Sequence, residues 1–354
     1  MSLPHQPHVA TPRPGSTTLR SESTTLRAGA RSLPAAPAAR TTGASTIGSA
    51  GPLPPWAAGF AASFAIVQLV VAVAVCLPVF AGLARSGYLV ALTPFLMWVP
   101  ALGVIGLHAV LRPPVRLLDW CGLRVGSRAS RRRAAAGPDG RRRPASLPGV
   151  LGWSFALLVL LSTVAAATIG AAVAVGAVDW DPAPGATSAA AWVLPLVLLG
   201  MLATAGEEIA WRGYLASTLA PWGSVRSSAA IGAFWALWHL PLTAAYAMDG
   251  VVGWREVAAT TVNLFLSALV LAAARYASRS VWPAIAGHAM LNTVLVFAYS
   301  NLITPTRTLD DAAYWTFQLV AWGVLLAAAA LGAVVAARRR PSAPAITRGW
   351  IQPG

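Results

Sequence analysis

The dominant pattern of the chain is a series of long apolar runs that contain no Asp, Glu or Arg. About 20 apolar residues are enough for a helix to cross the hydrocarbon core of a bilayer. The runs and their flanks predict eight transmembrane helices, at 57–82, 88–111, 150–176, 189–217, 228–247, 255–276, 281–299 and 315–337. The fold class that follows is all-α, a polytopic membrane helix bundle.

Both ends of the chain lack this apolar pattern. Residues 1–55 are rich in Ser, Thr, Pro, Ala and Arg, a composition that predicts a disordered cytoplasmic tail. Residues 341–354 are predicted to form a second, short cytoplasmic tail. The transmembrane domain is therefore predicted to occupy 56–340.

Composition narrows the class of protein further. Of the 354 residues, 56% are hydrophobic and only 10% are charged, against roughly 25% in soluble domains. These values exclude a disordered chain and argue against a soluble enzyme. The formal charge of +15 does not indicate nucleic-acid binding, because the bulk of the chain is too apolar. Two cysteines, Cys76 and Cys121, cannot make a disulfide framework or a cysteine metal site.

The distribution of charge predicts an orientation in the plasma membrane. All 26 basic residues are Arg. If the N-terminus lies in the cytoplasm, 23 of them fall on the cytoplasmic side of the membrane. This asymmetry follows the positive-inside rule, and eight spans put both termini in the cytoplasm. The loop 112–149 carries two Arg triplets that either bind anionic lipid headgroups or act only as a solvated orientation signal.

Few ionisable groups lie inside the predicted spans, where they are costly and usually functional. They are Glu207, Glu208, Arg212, His108, His239 and His288. Glu208 and Arg212 are four residues apart and are predicted to pair on one helix face. Glu207 lies about 100° around the helix from Glu208, which leaves it for chemistry. Alternatively, both acids belong to a structural salt-bridge network.

Two further segments carry polar residues on helical faces. Trp235 and His239 share one face, as do His288 and Asn292. Their depths along the spans allow one water-filled cavity, open to the cytoplasm, that also includes Glu207. A carboxylate, two imidazoles and a carboxamide suit water activation by the acid and oxyanion binding by the amide and a histidine. The chain lacks the His-Glu-x-x-His stretch of zincins.

These segments resemble the CPBP family, which comprises CAAX proteases and bacteriocin-processing enzymes and is also called Abi. The family shows Glu-Glu-x-x-x-Arg, Phe-x-x-x-His and His-x-x-x-Asn on successive membrane helices. Here they read Glu207-Glu208-Ile-Ala-Trp-Arg212, Trp235-Ala-Leu-Trp-His239 and His288-Ala-Met-Leu-Asn292. The similarity covers about 190–300, and Trp235 stands where the family usually has Phe.

The resemblance implies an intramembrane endopeptidase with an eight-helix core. It assigns water activation to Glu207 with His239, and oxyanion binding to His288 and Asn292. Glu208, Arg212 and Trp235 would support the site.

The resemblance also leaves the cofactor open, because such a site can activate water with or without a divalent metal such as zinc. Glu207, His239 and His288 would be the ligands, and two His with one carboxylate are enough for catalytic zinc.

Two other functions are compatible with the same residues. One is a catalytically silent membrane scaffold or chaperone that keeps the motifs for folding. The other is a proton-coupled transporter, although the halves of the chain show no internal repeat of the kind transporters have.

For a protease, the expected partner is a peptide or membrane-anchored protein. The all-Arg, Ala-rich composition points to a high-GC bacterium, and therefore to a bacterial substrate rather than a prenylated CAAX protein.

Overall fold

The computed structural model describes residues 52–126 and 145–338, which are almost entirely helical. The principal helices are α1 (Pro55–Phe80), α2 (Gly87–Leu96), α3 (Val99–Leu111), α4 (Leu147–Ala174), α5 (Val193–Glu208), α6 (Ser224–Met248), α7 (Trp254–Ser278), α8 (Trp282–Met290), α9 (Val296–Asn301) and α10 (Asp311–Arg338). Two π-helical segments interrupt this series. The first π segment, Ile209–Leu215, follows α5, and the second, Leu291–Leu295, joins α8 to α9.

Each of the eight predicted spans has a helical counterpart, and the all-α membrane bundle is confirmed. Within the described residues, α1, α4, α5 with its extension to Thr218, α7 and α10 are long and apolar enough to cross a membrane. The bent pair α2 and α3 is apolar enough only when the two helices are taken together, and it makes six spans if the pair is one broken span rather than a re-entrant loop. The remaining two counterparts, α6 and the α8–α9 unit, carry the motif histidines. Both predicted tails lie largely outside the described residues, and the two Arg triplets lie wholly outside them.

A close approach between helices positions the start of the acidic motif. The axes of α2 and α3 differ by 46° at Met97–Trp98, and α5 packs into this bend at Gly206. A Cβ on Gly206 would lie 2.4 Å from the Met97 carbonyl oxygen and 2.6 Å from Trp98 Cα. Only glycine lets the two backbones come this close. Trp98 Nε1 also donates to the Leu202 carbonyl at 3.1 Å.

The motif helices lie between two apolar clusters. One cluster is formed by buried residues of α4, α7, α8 and α10 and includes Leu161, Leu271 and Ala289. The other is largely aromatic and joins α1 and α3 to the first π segment and α6, with Trp211 and Tyr214 at its centre. Because α8 belongs to the first cluster and α6 to the second, packed apolar side chains lie on both sides of the space between α6 and α8. The motif residues occupy this space.

Candidate active site

The centre of the candidate site is a buried ion pair on α5 and the first π segment. Arg212 Nη1 donates to Glu208 Oε1 at 2.7 Å, and the two side chains are 1% and 0% exposed. The pair forms at the spacing of four residues that the sequence indicates. His288, on α8, places its Nδ1 3.0 Å from the same Glu208 oxygen. Glu208 therefore ties α5 to α8.

Glu207 points to a different partner, as its angle around the helix requires. Trp235 Nε1, on α6, donates to Glu207 Oε2 at 2.5 Å, and Glu207 is 2% exposed. Its other oxygen, Oε1, has no hydrogen-bond partner among the described residues. The Arg212 guanidinium lies 4.4 Å above the centre of the Trp235 ring, in cation–π geometry.

Both motif histidines are held through Nδ1. His239 Nδ1 lies 2.8 Å from the Trp235 carbonyl oxygen, which can only accept, so Nδ1 carries the proton. His288 Nδ1 faces the Glu208 carboxylate in the same way. In the neutral ring, the other nitrogen, Nε2, then presents its lone pair. The sequence thus predicted both residues but not the groups that set their tautomers.

Trp235 links these groups, a role that its packing alone did not suggest. Its ring centroid lies 5.2 Å from that of His239 and 5.3 Å from that of His288, with both pairs edge-on. The same indole donates to Glu207 and faces Arg212. A Phe at this position would keep the ring contacts but would lack the N–H donor. Here the departure from the family pattern adds a hydrogen bond to the acid.

The buried cluster keeps unused hydrogen-bonding capacity. Glu208 Oε2 and Arg212 Nε and Nη2 are buried, and none has a hydrogen-bond partner among the described residues. Buried charged atoms are normally satisfied, because leaving them unpaired is costly. A single contact rather than a two-point fork therefore joins Arg212 to Glu208.

Asn292 is the one predicted site residue that does not join the cluster. It lies in the second π segment, it is exposed, and within the described chain no hydrogen bond links it to the other motif residues. It lines a hollow of about 940 Å³ between α5, α9 and the bend after α2, together with Trp98, Leu199 and Ala203. This hollow runs along α5 from Val193 to Ala203, and Ala203 lies one helical turn before Glu207.

The predicted metal ligands do not form a metal site in this arrangement. Over the described ranges, no group of three His, Cys, Asp or Glu side chains could hold a metal ion. Glu207 is engaged by Trp235, and His288 faces Glu208. One donor atom of each residue that the resemblance offers for zinc is thus directed at a protein group.

Two structural features in and near the site could not be predicted from the pattern of apolar residues in the sequence. π-Helical turns are rare and often mark functional sites, and one begins directly after Glu208 while the other contains Asn292. His108, which has no evident partner in the sequence, has its Nδ1 3.3 Å from the Tyr214 hydroxyl oxygen. Only the folded packing reveals either feature.

Comparison with known families gives a match over the part of the chain that carries the motifs. Residues 189–294 match the family model described as type II CAAX prenyl endopeptidase Rce1-like. The matched range contains all three motifs, and the resemblance is confirmed as an Rce1-like domain consistent with the CPBP family. No curated protein and no solved structure matches the chain.

Proposed function

We propose that the protein is an intramembrane endopeptidase that hydrolyses peptide bonds of membrane-associated peptides or proteins with water activated by Glu207. One observation carries this proposal, namely the different states of the adjacent acids. Glu208 is bonded to the charged Arg212 and faces His288, whereas the hydrogen bond of Glu207 among the described residues comes from the neutral indole N–H of Trp235. The family match supports the reaction class.

The proposed step uses Glu207 as general base and then as general acid. Water lies between Glu207 Oε1 and His239 Nε2, and Glu207 takes one of its protons. The water oxygen bonds to the carbonyl carbon of the substrate, and the carbonyl oxygen becomes an oxyanion. When the C–N bond breaks, Glu207 returns its proton to the leaving amine nitrogen. The products are a carboxylic acid and an amine.

The proposed oxyanion donors are His288 and Asn292. His288 directs Nδ1–H at Glu208, so its Nε2 donates only when both ring nitrogens carry a proton. The Asn292 amide donates in every protonation state, from the edge of the hollow. Because oxyanion donors act on charge that develops during reaction, Asn292 would act only on a substrate that fills the hollow beside it.

The proposed location is the plasma membrane of a bacterium, with both termini in the cytoplasm. In this orientation the C-terminal end of α5 and the N-terminal ends of α6 and α8 face the cytoplasm, whereas the lining of the 940 Å³ hollow begins at the opposite end of α5, at Val193. The cytoplasmic opening of the site thus stays a proposal that rests on the Arg asymmetry. Anionic headgroups are the proposed lipid partners of the Arg-rich loop.

A hydrolysis assay in liposomes tests this function. Wild-type protein is incubated with a pool of synthetic peptides from bacterial membrane proteins in H2(18)O, and new C-termini are identified by mass spectrometry. Glu207→Gln should lose at least ~10²-fold in rate, because the amide cannot take the proton. Asp181→Asn, which alters an exposed carboxylate outside the site, should cleave like wild type.

The outcomes separate the alternatives. Equal rates for wild type and Glu207→Gln would exclude this residue as the base. Wild-type protein that yields no 18O-labelled termini would favour a scaffold, and proton flux across the same liposomes would favour a transporter.

A further inference from the structure

We propose that Arg275 is a positioning residue of the site, which holds the first π segment in the geometry that orients Arg212 and Glu208. Arg275 lies in the last turn of α7 and is 6% exposed. From the sequence it counts only as one of the cytoplasmic orientation charges. In the structure its side chain instead turns into the bundle, toward the motif.

The contacts of Arg275 reach the backbone of the motif directly. Its Nε donates to the Arg212 carbonyl at 2.8 Å, and its Nη2 donates to Ser217 Oγ at 3.3 Å. Ser217 Oγ in turn donates to the Trp120 carbonyl at 2.6 Å. The guanidinium also lies against Gly122, where a Cβ would be 2.8 Å from Nη2. One side chain thus joins α7, the first π segment and the loop after α3.

The first π segment needs such a donor because of how it is bonded. The Ala216 N–H binds the Trp211 carbonyl, five residues back rather than four. Where a helix widens in this way, its ladder of hydrogen bonds shifts, and inserted groups stabilise the altered turn. The next carbonyl in the chain is that of Arg212, and it receives Arg275.

The Arg212 backbone and side chain connect this contact to the chemistry. Arg212 holds Glu208 at 2.7 Å, and the same oxygen of Glu208 faces His288 at 3.0 Å. A return of the segment to regular α-helix would keep the four-residue spacing of the pair but would turn Arg212 relative to α6, where its guanidinium now lies 4.4 Å above the Trp235 ring. Arg275 therefore acts on the reaction only through these residues and does not touch the reacting atoms.

The structural test does not depend on the proposed function. The structure of full-length Arg275→Gln, determined in lipid nanodiscs by cryo-electron microscopy, should show Ile209–Leu215 with α-helical bonding. It should also show the Arg212 contact to the Trp235 ring or the Glu208 contact to His288 broken. If the π segment and both contacts persist, the proposal is overturned, whether or not any peptide is cleaved.

The kinetic test rests on the proposed function and uses the same peptide pool. Arg275→Gln should lower kcat by about 10²-fold, the order expected for a small displacement of a site, with little change in KM. Arg275→Lys should recover part of kcat, because an ammonium can still reach the Arg212 carbonyl. Arg226→Gln, an exposed Arg on the first turn of α6, is the matched control and should keep the wild-type rate.

A purely structural role would give a different result. In that case Arg275→Gln would lower the yield of folded protein but leave kcat per folded molecule unchanged, which would overturn the proposal. If Arg275→Gln does not fold, Arg275→Lys decides the matter. Lys keeps the charge but loses the two-point contact of the guanidinium with the Arg212 carbonyl and Ser217 Oγ. A kcat within about 2-fold of wild type would then count against a positioning role. Absence of cleavage by wild type itself would refute the proposed function and leave the structural test in force.

Discussion

Two ion pairs in this protein have the same N···O distance of 2.7 Å but lie in opposite environments. Arg212–Glu208 is inside the bundle, with side chains 1% and 0% exposed. Arg85–Asp249 joins the loop after α1 to the end of α6, with side chains 87% and 11% exposed. The first pair is formed by two residues of the acidic motif, and the second links two loops between helices.

The difference shows that distance alone does not measure what an ion pair contributes. A buried pair must offset the loss of hydration of both ions, so removing one partner leaves an uncompensated charge in a dry site. An exposed pair is screened by water and salt and contributes little. The buried pair is therefore where a single substitution should matter most, and the exposed pair is where it should matter least.

The largest effect is expected at Glu208. Glu208→Gln leaves Arg212 without its carboxylate and should lower the free energy of unfolding by roughly 3–5 kcal/mol. The measurement is equilibrium unfolding in mixed detergent micelles. The double variant Glu208→Leu with Arg212→Met should regain much of this stability, because neither charge remains, while its hydrolytic activity stays lost.

The opposite result would remove the distinction between the two acids. If Glu208→Gln kept wild-type stability and alone abolished cleavage, Glu208 would be the base and Glu207 the structural acid. Arg85→Gln is the matched comparison at the exposed pair, and its loss of stability should be clearly the smaller of the two.

The sequence predicted the helices of this fold well, because apolar length reports directly on membrane spans. It also predicted the Glu208–Arg212 pair, since spacing on a helix fixes which side chains can meet. It did not predict the first π segment, because a change of one residue in the hydrogen-bond ladder leaves the apolar pattern unaltered.

Arg275 and Asn292 show where sequence reasoning ends. Arg275 is at the end of a span, where a charge normally marks topology, and only the packed structure shows its contact with the Arg212 carbonyl. Regular helical spacing predicts that Asn292 lies beside His288. The second π segment begins between them at Leu291, and Asn292 lines the hollow instead.

An intermediate effect is expected at Trp235, which connects Glu207 to the buried pair. Trp235→Phe keeps an aromatic ring under Arg212 but removes the donor to Glu207 Oε2. A hydrogen bond to an ionised group contributes about 1.5–3 kcal/mol, and the free energy of unfolding should fall by about that amount. The measurement is the same unfolding equilibrium.

Trp238→Phe provides the matched control for this change. Trp238 is three residues away on α6 and is also buried, but its Nε1 has no hydrogen-bond partner within the described residues. The same reduction in ring size should therefore cost less there. Equal losses for both variants would mean that packing, and not the bond to Glu207, accounts for the effect of Trp235.

The smallest effect is expected at the exposed pair, where it should appear only as a dependence on pH. The hydrogen bond from Arg85, followed by those from the Ser86 hydroxyl and N–H, lowers the pKa of Asp249 from 3.8 to about 2. A carboxylate whose pKa is lowered by folding stabilises the protein above its unfolded pKa, and this contribution is lost as pH falls through the folded value. Wild type should therefore unfold at a higher temperature than Asp249→Asn at neutral pH, and the difference should disappear between about pH 4 and pH 2. Arg85→Gln should reduce the same pH-dependent difference, because it removes the largest cause of the shift. A difference that stays constant down to pH 2 would show that Asp249 stabilises the loops through shape and not through its charge.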